Sequence, residues 1–335
     1  MRIRFTVWAL CVAAVTLLAG VGFTPGEAAQ AKKILVGQVT IVSYFWPDWV
    51  AQEKGLFKEE GIEVELITID TTAKAVQALS ANSLNVAWVS PELVIQGRQK
   101  GAAIAIAGGV IEKPTYDLIA LPKYKSVQDL KGTLLGVSNL KAGSTLLLHY
   151  ALGKAGFTFP GDYDVIEVGG TPSRLAAVKS GGVSAALITE PDTFLAEDEG
   201  LTVLARVVDL LPQYQFVVIA INTDWAKANR EALVGYMKGV IRGMQWLHNE
   251  KNRDEAARLL RKYVKMQKEE YATRSYDSMF KRLKVMPADA SVNAQAMDAL
   301  VDVMVANKQA PSRIPWQDSV DDSYRQAALK ALGGR

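Results

Sequence analysis

Ser43-Tyr44-Phe45-Trp46-Pro47-Asp48-Trp49 follows an apolar run, Ile34 to Ile41, and leads straight into Val50-Ala51-Gln52-Glu53-Lys54-Gly55. The apolar run reads as a buried strand. Pro47 suits the first turn of a helix, where the N–H it lacks would have no partner anyway, and Gly55 suits that helix's end. A strand that ends in an aromatic loop and opens a helix is where α/β proteins place ligands, outside the carboxyl ends of the strands. Taken singly, each of the four aromatics reads as core. Four together at one strand end are hard to bury at once, so one or two are expected to face a ligand. Trp49, already on the helix, is assigned to packing.

The same grammar continues downstream. Ile62 to Ile69 reads as a strand, Thr71 or Thr72 caps a helix, Val86 to Val89 is a short buried strand, and Ser90-Pro91-Glu92 opens another helix. Ala102 to Val110 and Tyr116 to Leu121 follow as strands. A second unit begins near residue 122: strands at Leu134 to Ser138, Asp164 to Val168 and Ala185 to Ile188 alternate with helices opened by Gly143-Ser144-Thr145 and Thr171-Pro172. Such alternation with short connections specifies α/β architecture with mostly parallel sheets flanked by helices. Gln215 to Asn222 forms one more apolar strand, with Thr223 capping the next helix. Leu233, Tyr236, Met237, Val240, Met244 and Leu247 then recur at helical spacing, and helices are expected near 253–264, 268–282, 291–306 and 318–331. The Met and aromatic stripe of this tail reads as packing.

The N-terminus reads as an export signal over residues 1–31. Arg2 and Arg4 precede an apolar segment, Val7 to Val21, and Ala29-Gln30-Ala31 offers a small-residue cleavage site. The apolar segment is short for a membrane-spanning helix. Cleavage would reduce 335 residues to 304, above the size at which one core usually divides. Cys11 is the only cysteine and lies within the signal, so the mature chain is expected to have no disulfide, thiolate metal site or cysteine nucleophile. A hydrophobic share of 49% argues against disorder, and dispersed basic residues with a net charge of +3 argue against nucleic-acid binding.

No catalytic constellation emerges. His149 and His248 fall in predicted helices without neighbours at metal-ligand spacing. Ser138-Asn139-Leu140-Lys141 matches S-x-x-K, but S-D-N and K-T-G companions are missing. No cofactor is expected. Helix starts bearing hydroxyls recur after strands, at Ser90, at Ser144 and Thr145, at Thr171 and at Thr189, and free amides at the positive ends of helices suit an anion. Gly143-Ser144-Thr145 is the best of these, because no proline blocks its amides. Arg174, one turn into its helix, adds a candidate charge. Glu92, Glu112 and Glu190 could instead face a cationic group.

Three segments carry a resemblance. Val50 to Val64, Ser126-Val127-Gln128-Asp129-Leu130-Lys131-Gly132-Thr133-Leu134-Leu135-Gly136-Val137 and Ser180-Gly181-Gly182-Val183-Ser184-Ala185-Ala186 resemble segments of the nitrate/sulfonate/taurine-type solute-binding proteins of ABC importers, relatives of thiamine-pyrimidine synthesis proteins. The likeness covers essentially the whole mature chain. It departs at Asn85 and Ser184, where that family commonly has Asp. It implies a type II periplasmic binding fold with two crossovers and a helical C-terminal tail: lobe I from residues 32–121 plus 213–335, lobe II from residues 122–212. It also implies a periplasmic, monomeric protein that holds a small molecule between the lobes and meets a membrane permease. Carried over by position, the cleft residues are Ser43, Tyr44, Phe45 and Trp46, then Trp88 and Ser90, then Gly143, Ser144 and Thr145, with Glu190 and Gln215 beside them. The aromatic content exceeds what nitrate or a small sulfonate needs and favours an aromatic or apolar body with an anionic or polar end. An exported sensor-type binding protein and an enzyme on the same fold are the alternatives.

Overall fold

The computed structural model describes residues 31–266 and 268–333. The predicted export signal lies outside them, apart from Ala31. Along the described chain the strands are β1 (Lys32–Val39), β2 (Ile62–Ile69), β3 (Val86–Val89), β4 (Ile104–Ile111), β5 (Tyr116–Ala120), β6 (Leu134–Val137), β7 (Asp164–Glu167), β8 (Ala185–Thr189), β9 (Thr202–Arg206) and β10 (Val217–Asn222). They form two five-stranded sheets, ordered β2-β1-β3-β10-β4 and β7-β6-β8-β5-β9.

Both sheets are mixed, more so than the expected mostly parallel pairing. β1 runs parallel to β2 and β3, whereas β10 lies antiparallel between β3 and β4. In the second sheet β6 runs parallel to β7 and β8, and β5 lies antiparallel between β8 and β9. The cause is topological. β5 and β10 each arrive from the other sheet, so they enter at the edge where their neighbours end and run back against them. The register shows this: Tyr116, first in β5, pairs with Thr189, last in β8, and Val217, first in β10, pairs with Ile111, last in β4. The first crossover therefore occupies residues 112–115, not the neighbourhood of 121, and residues 116–120 join the second sheet. Strand ends and crossovers share one edge of each sheet, and the two edges face each other.

The opening stretch forms a 3-10 turn, Ser43–Phe45, followed by the helix Trp46–Glu53 with Pro47 in its first turn. This helix lies against the long helix Arg230–His248 so closely that a Cβ at Gly243 would fall 2.5 Å from the Pro47 carbonyl oxygen. Glycine at 243 is thus a condition of the packing, since any side chain there must push two backbones apart. The predicted tail helices appear at Arg253–Val264, Glu269–Tyr276, Ala294–Ala306 and Ser323–Ala331, with a π-helical continuation at Asp277–Arg282. They reach the second sheet's side as well: Tyr271 donates to Asp198 (2.8 Å) and Arg274 to Glu197 (2.6 Å) on the helix Asp192–Asp198.

Local details refine the reading. Asn222, not Thr223, caps the helix after β10, accepting from the Trp225 amide at 2.8 Å. At the first family departure, Asn85 Oδ1 accepts from the Leu35 amide (2.8 Å) and ties the start of β3 to β1. At the second, Ser184 shares a hydrogen bond with Tyr124 (2.9 Å). Both positions brace turns.

Candidate functional site

Between the facing edges lies a cleft of about 620 Å³, its open mouth included. One wall is aromatic. Tyr44 and Phe45 come from the turn after β1, Trp88 from β3, Tyr116 from the start of β5, and Phe216 from the residue before β10. The rings interlock: Phe45 meets Trp88 at 5.8 Å between centroids, and Phe216 meets Tyr44 at 5.6 Å and Tyr116 at 5.2 Å, both edge-on.

Buried hydrogen bonds hold this wall from behind. Trp88 Nε1 donates to the Tyr236 hydroxyl (2.7 Å), which donates to Asp48 (2.8 Å). Asp48 also accepts from Gln38 (3.2 Å), and Gln38 in turn accepts from Trp49 Nε1 (3.2 Å). Burial pushes the Asp48 carboxyl up to about 7, against the pull of these donors. The Tyr44 hydroxyl sits with those of Thr115 (2.8 Å) and Thr189 (2.7 Å), so the first sheet's aromatic turn is fastened to the crossover and to the end of β8.

The rest of the lining is largely polar. Four helices begin here: Thr72–Ser80, Pro91–Gln99, Gly143–Lys154 and Thr171–Lys179 each contribute a first or capping residue to the lining. Their orphan amides and dipoles create a positive field, each end worth about 0.3–1 kcal/mol to a nearby anion and more when partly buried. Arg174 adds a full charge, being 2% exposed. Three of its five N–H donors go to Leu187 O (2.9 Å), Gly169 O (2.7 Å) and Thr171 Oγ1 (3.1 Å), and its guanidinium stands 6.0 Å from the Tyr116 ring centre. Burial pulls its pKa below the usual arginine value. Among the described residues no carboxylate forms an ion pair with it within 4.0 Å, although Asp192 lies close enough for the two charges to act on each other.

The cleft brings together seven of the residues expected from sequence: Tyr44, Phe45, Trp88, Ser90, Gly143, Ser144 and Arg174. Five others lie elsewhere. Trp46 turns away, edge-on to Tyr276 (6.1 Å) and Phe280 (5.8 Å), with Nε1 donating to Ala256 O (3.1 Å). Ser43 donates to Glu190 O (3.2 Å). Thr145 donates to Asn139 O (2.6 Å), which stitches the loop before its helix. Gln215 is fully buried and donates to Ile111 O (3.1 Å) and Val217 O (3.0 Å), bracing the second crossover. Glu190 accepts from Ser278 on the tail, and burial pushes its carboxyl up to about 8. Trp49 is packed as expected, stacked 4.9 Å from Tyr263.

Thr40, Tyr116, Ser138, Gly170 and Phe216 also line the cleft, beyond the residues to which the sequence points. Tyr116 and Phe216 had a signal available, since each stands where a strand returns from the other sheet. Placing the first crossover at 112–115 would have found Tyr116.

Residues 42–253 match the family described as NMT1/THI5 like. The chain belongs to that family. A Bacillus subtilis (strain 168) relative of this NMT1/THI5-like protein, provisionally named binding protein YtlA, is 24% identical over 319 residues, covering 93% of this chain and 94% of its own. Among solved structures, the periplasmic nitrate-binding protein NrtA from Synechocystis PCC 6803 matches with a TM-score of 0.77 at 14% identity, over 90% of this chain and 89% of that one. The alkanesulfonate-binding protein SsuA from Xanthomonas axonopodis pv. citri, bound to MOPS, matches with a TM-score of 0.71 at 19% identity, over 88% and 99%. The NMT1/THI5-like chain thus has the periplasmic binding protein fold, two mixed sheets flanked by helices.

Proposed function

We propose that this protein is an extracytoplasmic solute-binding protein that captures a small organic anion between two lobes and delivers it to an ABC importer. The lobes are the units around the two sheets, and their approach closes the cleft. The ligand has an aromatic or apolar body that lies on Tyr44, Phe45, Trp88 and Phe216. Its anionic end meets the helix N-termini of the lining, within the field of Arg174. The protein is exported through cleavage of residues 1–31 and works in the periplasm.

What supports this reading is that interlocked aromatic rings, four helix N-termini and the buried Arg174 line one cleft. Stacking and charge are supplied within one space, which suits a molecule with both features. The binding roles named for its relatives, nitrate and alkanesulfonate, agree with an anion. The aromatic wall extends the choice beyond nitrate.

A thermal-shift screen of the mature protein against sulfonates, carboxylates, nitrate and pyrimidines tests it. A ligand at 100 times its dissociation constant stabilises the protein by about 2.7 kcal/mol. Aryl anions are expected to give the largest shifts. Consumption of a hit by the purified protein alone would replace binding with catalysis.

A further inference from the structure

The helix N-terminus at Gly143, the best anion seat by sequence, already faces a carboxyl group of the protein itself. A Cβ on Gly143 would fall 3.0 Å from Glu92 Oε1 and 3.1 Å from Ser90 Cβ, so the second sheet's helix presses directly on the residues that follow β3. Glu92 is fully buried, and Oε1 accepts from Ser90 Oγ at 2.7 Å. Its other oxygen, Oε2, has no hydrogen-bond partner. Neither has the hydroxyl of Tyr214, which is also fully buried and feels the Glu92 charge. Buried polar atoms are ordinarily paired, and orphaned ones call for an occupant.

The chemistry of that occupant follows from the atoms. Burial raises the Glu92 carboxyl to about 7; above that pH it is a carboxylate, which accepts and does not donate and repels an anion. A donor group satisfies Glu92 Oε2, and the unpartnered Tyr214 hydroxyl, within reach of the Glu92 charge, offers a second acceptor. Ser90 and Gly143, which both line the cleft, touch Glu92, and Gly143 belongs to the other half, so movement of the halves apart relieves the cover over Glu92. The absence of a side chain at 143 leaves room for this approach.

Resting on the proposed reading of the cleft, we infer that Glu92 with Tyr214 determines specificity for an N–H donor on the ligand. The solute is an anion that carries an amino or ring N–H group at its far end. The anionic end lies by Gly170 and Thr171, near Arg174, and the donor end lies under Ser90 and Gly143. The cleft is polarised, and a simple inorganic anion fills only one of its poles.

Calorimetric titration of the mature protein at pH 8.5, where Glu92 is ionised, with two matched pairs tests the assignment: 4-aminobenzenesulfonate against 4-methylbenzenesulfonate, and 4-aminobenzoate against 4-methylbenzoate. The methyl group fills similar space without donating. The amino member of a pair is expected to bind about tenfold tighter or more, the scale of one hydrogen bond to a charged group. Glu92→Met is expected to bring that ratio below about threefold, and Tyr214→Phe to lower it part-way. Melting curves establish that each variant is folded, and should Glu92→Met fail to fold, the Tyr214→Phe ratio decides. Equal affinities within both pairs for the wild type, or a ratio preserved in the variants as a trapped water would leave it, overturn the Glu92 assignment alone. Binding of none of the four compounds overturns the aryl-anion reading beneath it.

Discussion

Phe45 and Trp46 are neighbours in the chain and almost equally hidden, at 2% and 0% exposure, yet they belong to different surfaces. Phe45 ends the 3-10 turn and leans on Trp88 at the cleft wall. Trp46 begins the α-helix, and one residue's rotation carries its ring to Tyr276 and Phe280 in the C-terminal tail. Burial alone therefore does not separate a ligand wall from a core. What separates them is whether the ring faces the edge where strands end or the helices outside it. Four variants and conditions probe that division.

The largest effect is expected on the packing side. Trp46→Ala removes a ring held by two edge-on aromatic contacts and a hydrogen bond to Ala256 O. Denaturant unfolding should show a loss of about 3–5 kcal/mol, while the folded fraction keeps its ligand affinity. Next comes the polar wall. Arg174→Met strands Leu187 O, Gly169 O and Thr171 Oγ1 and removes the cleft's buried charge. Affinity for anions should fall by about ten- to a hundredfold by calorimetry. Arg174→Lys should not restore it, because an ammonium lacks the three-way fork.

Third is the response to pH. Burial holds the carboxyls of Asp48 and Glu92 near 7 and that of Glu190 near 8, all above their unfolded values. Between about pH 5 and 8 the folded state therefore keeps protons that the unfolded chain has released, so stability falls as pH rises. Unliganded protein should be at least about 1 kcal/mol more stable at pH 5.5 than at pH 8 in urea melts. Asp48→Asn should flatten part of that slope. The smallest effect is expected from Phe45→Leu, which keeps the wall apolar but removes the ring face. Affinity for an aryl ligand should drop by about three- to tenfold, the scale of one aromatic contact, with little change in melting temperature.

The sequence made the fold legible because its signals are local. Strand patterns, hydroxyl and proline helix starts, and the long amphipathic repeat through Leu233 to Leu247 each declare an element without help from distant residues. The antiparallel insertions of β5 and β10 were hidden because exchange between sheets leaves no mark on a strand's own composition. The site was readable in part. Ser90, Gly143 and Ser144 lie where helix starts meet strand ends, which is a local rule. Trp46 and Thr145 fit the same rule and Gln215, carried over by family position, does not; all three have structural roles, because the partners of Trp46 and Gln215 lie more than a hundred residues away and Thr145 bonds the carbonyl of Asn139. Arg174 was visible only as a charge one turn into a helix, and its burial against β8 needed the assembled sheet.

The most direct test of the account is a calorimetric titration of an aryl sulfonate into wild type, Trp46→Phe and Arg174→Met proteins side by side. The account predicts saturable one-to-one binding to the wild type, retained affinity in Trp46→Phe, and a loss of at least about tenfold in Arg174→Met. Equal binding by the wild type and Arg174→Met, or weakened binding in Trp46→Phe alone, would contradict it.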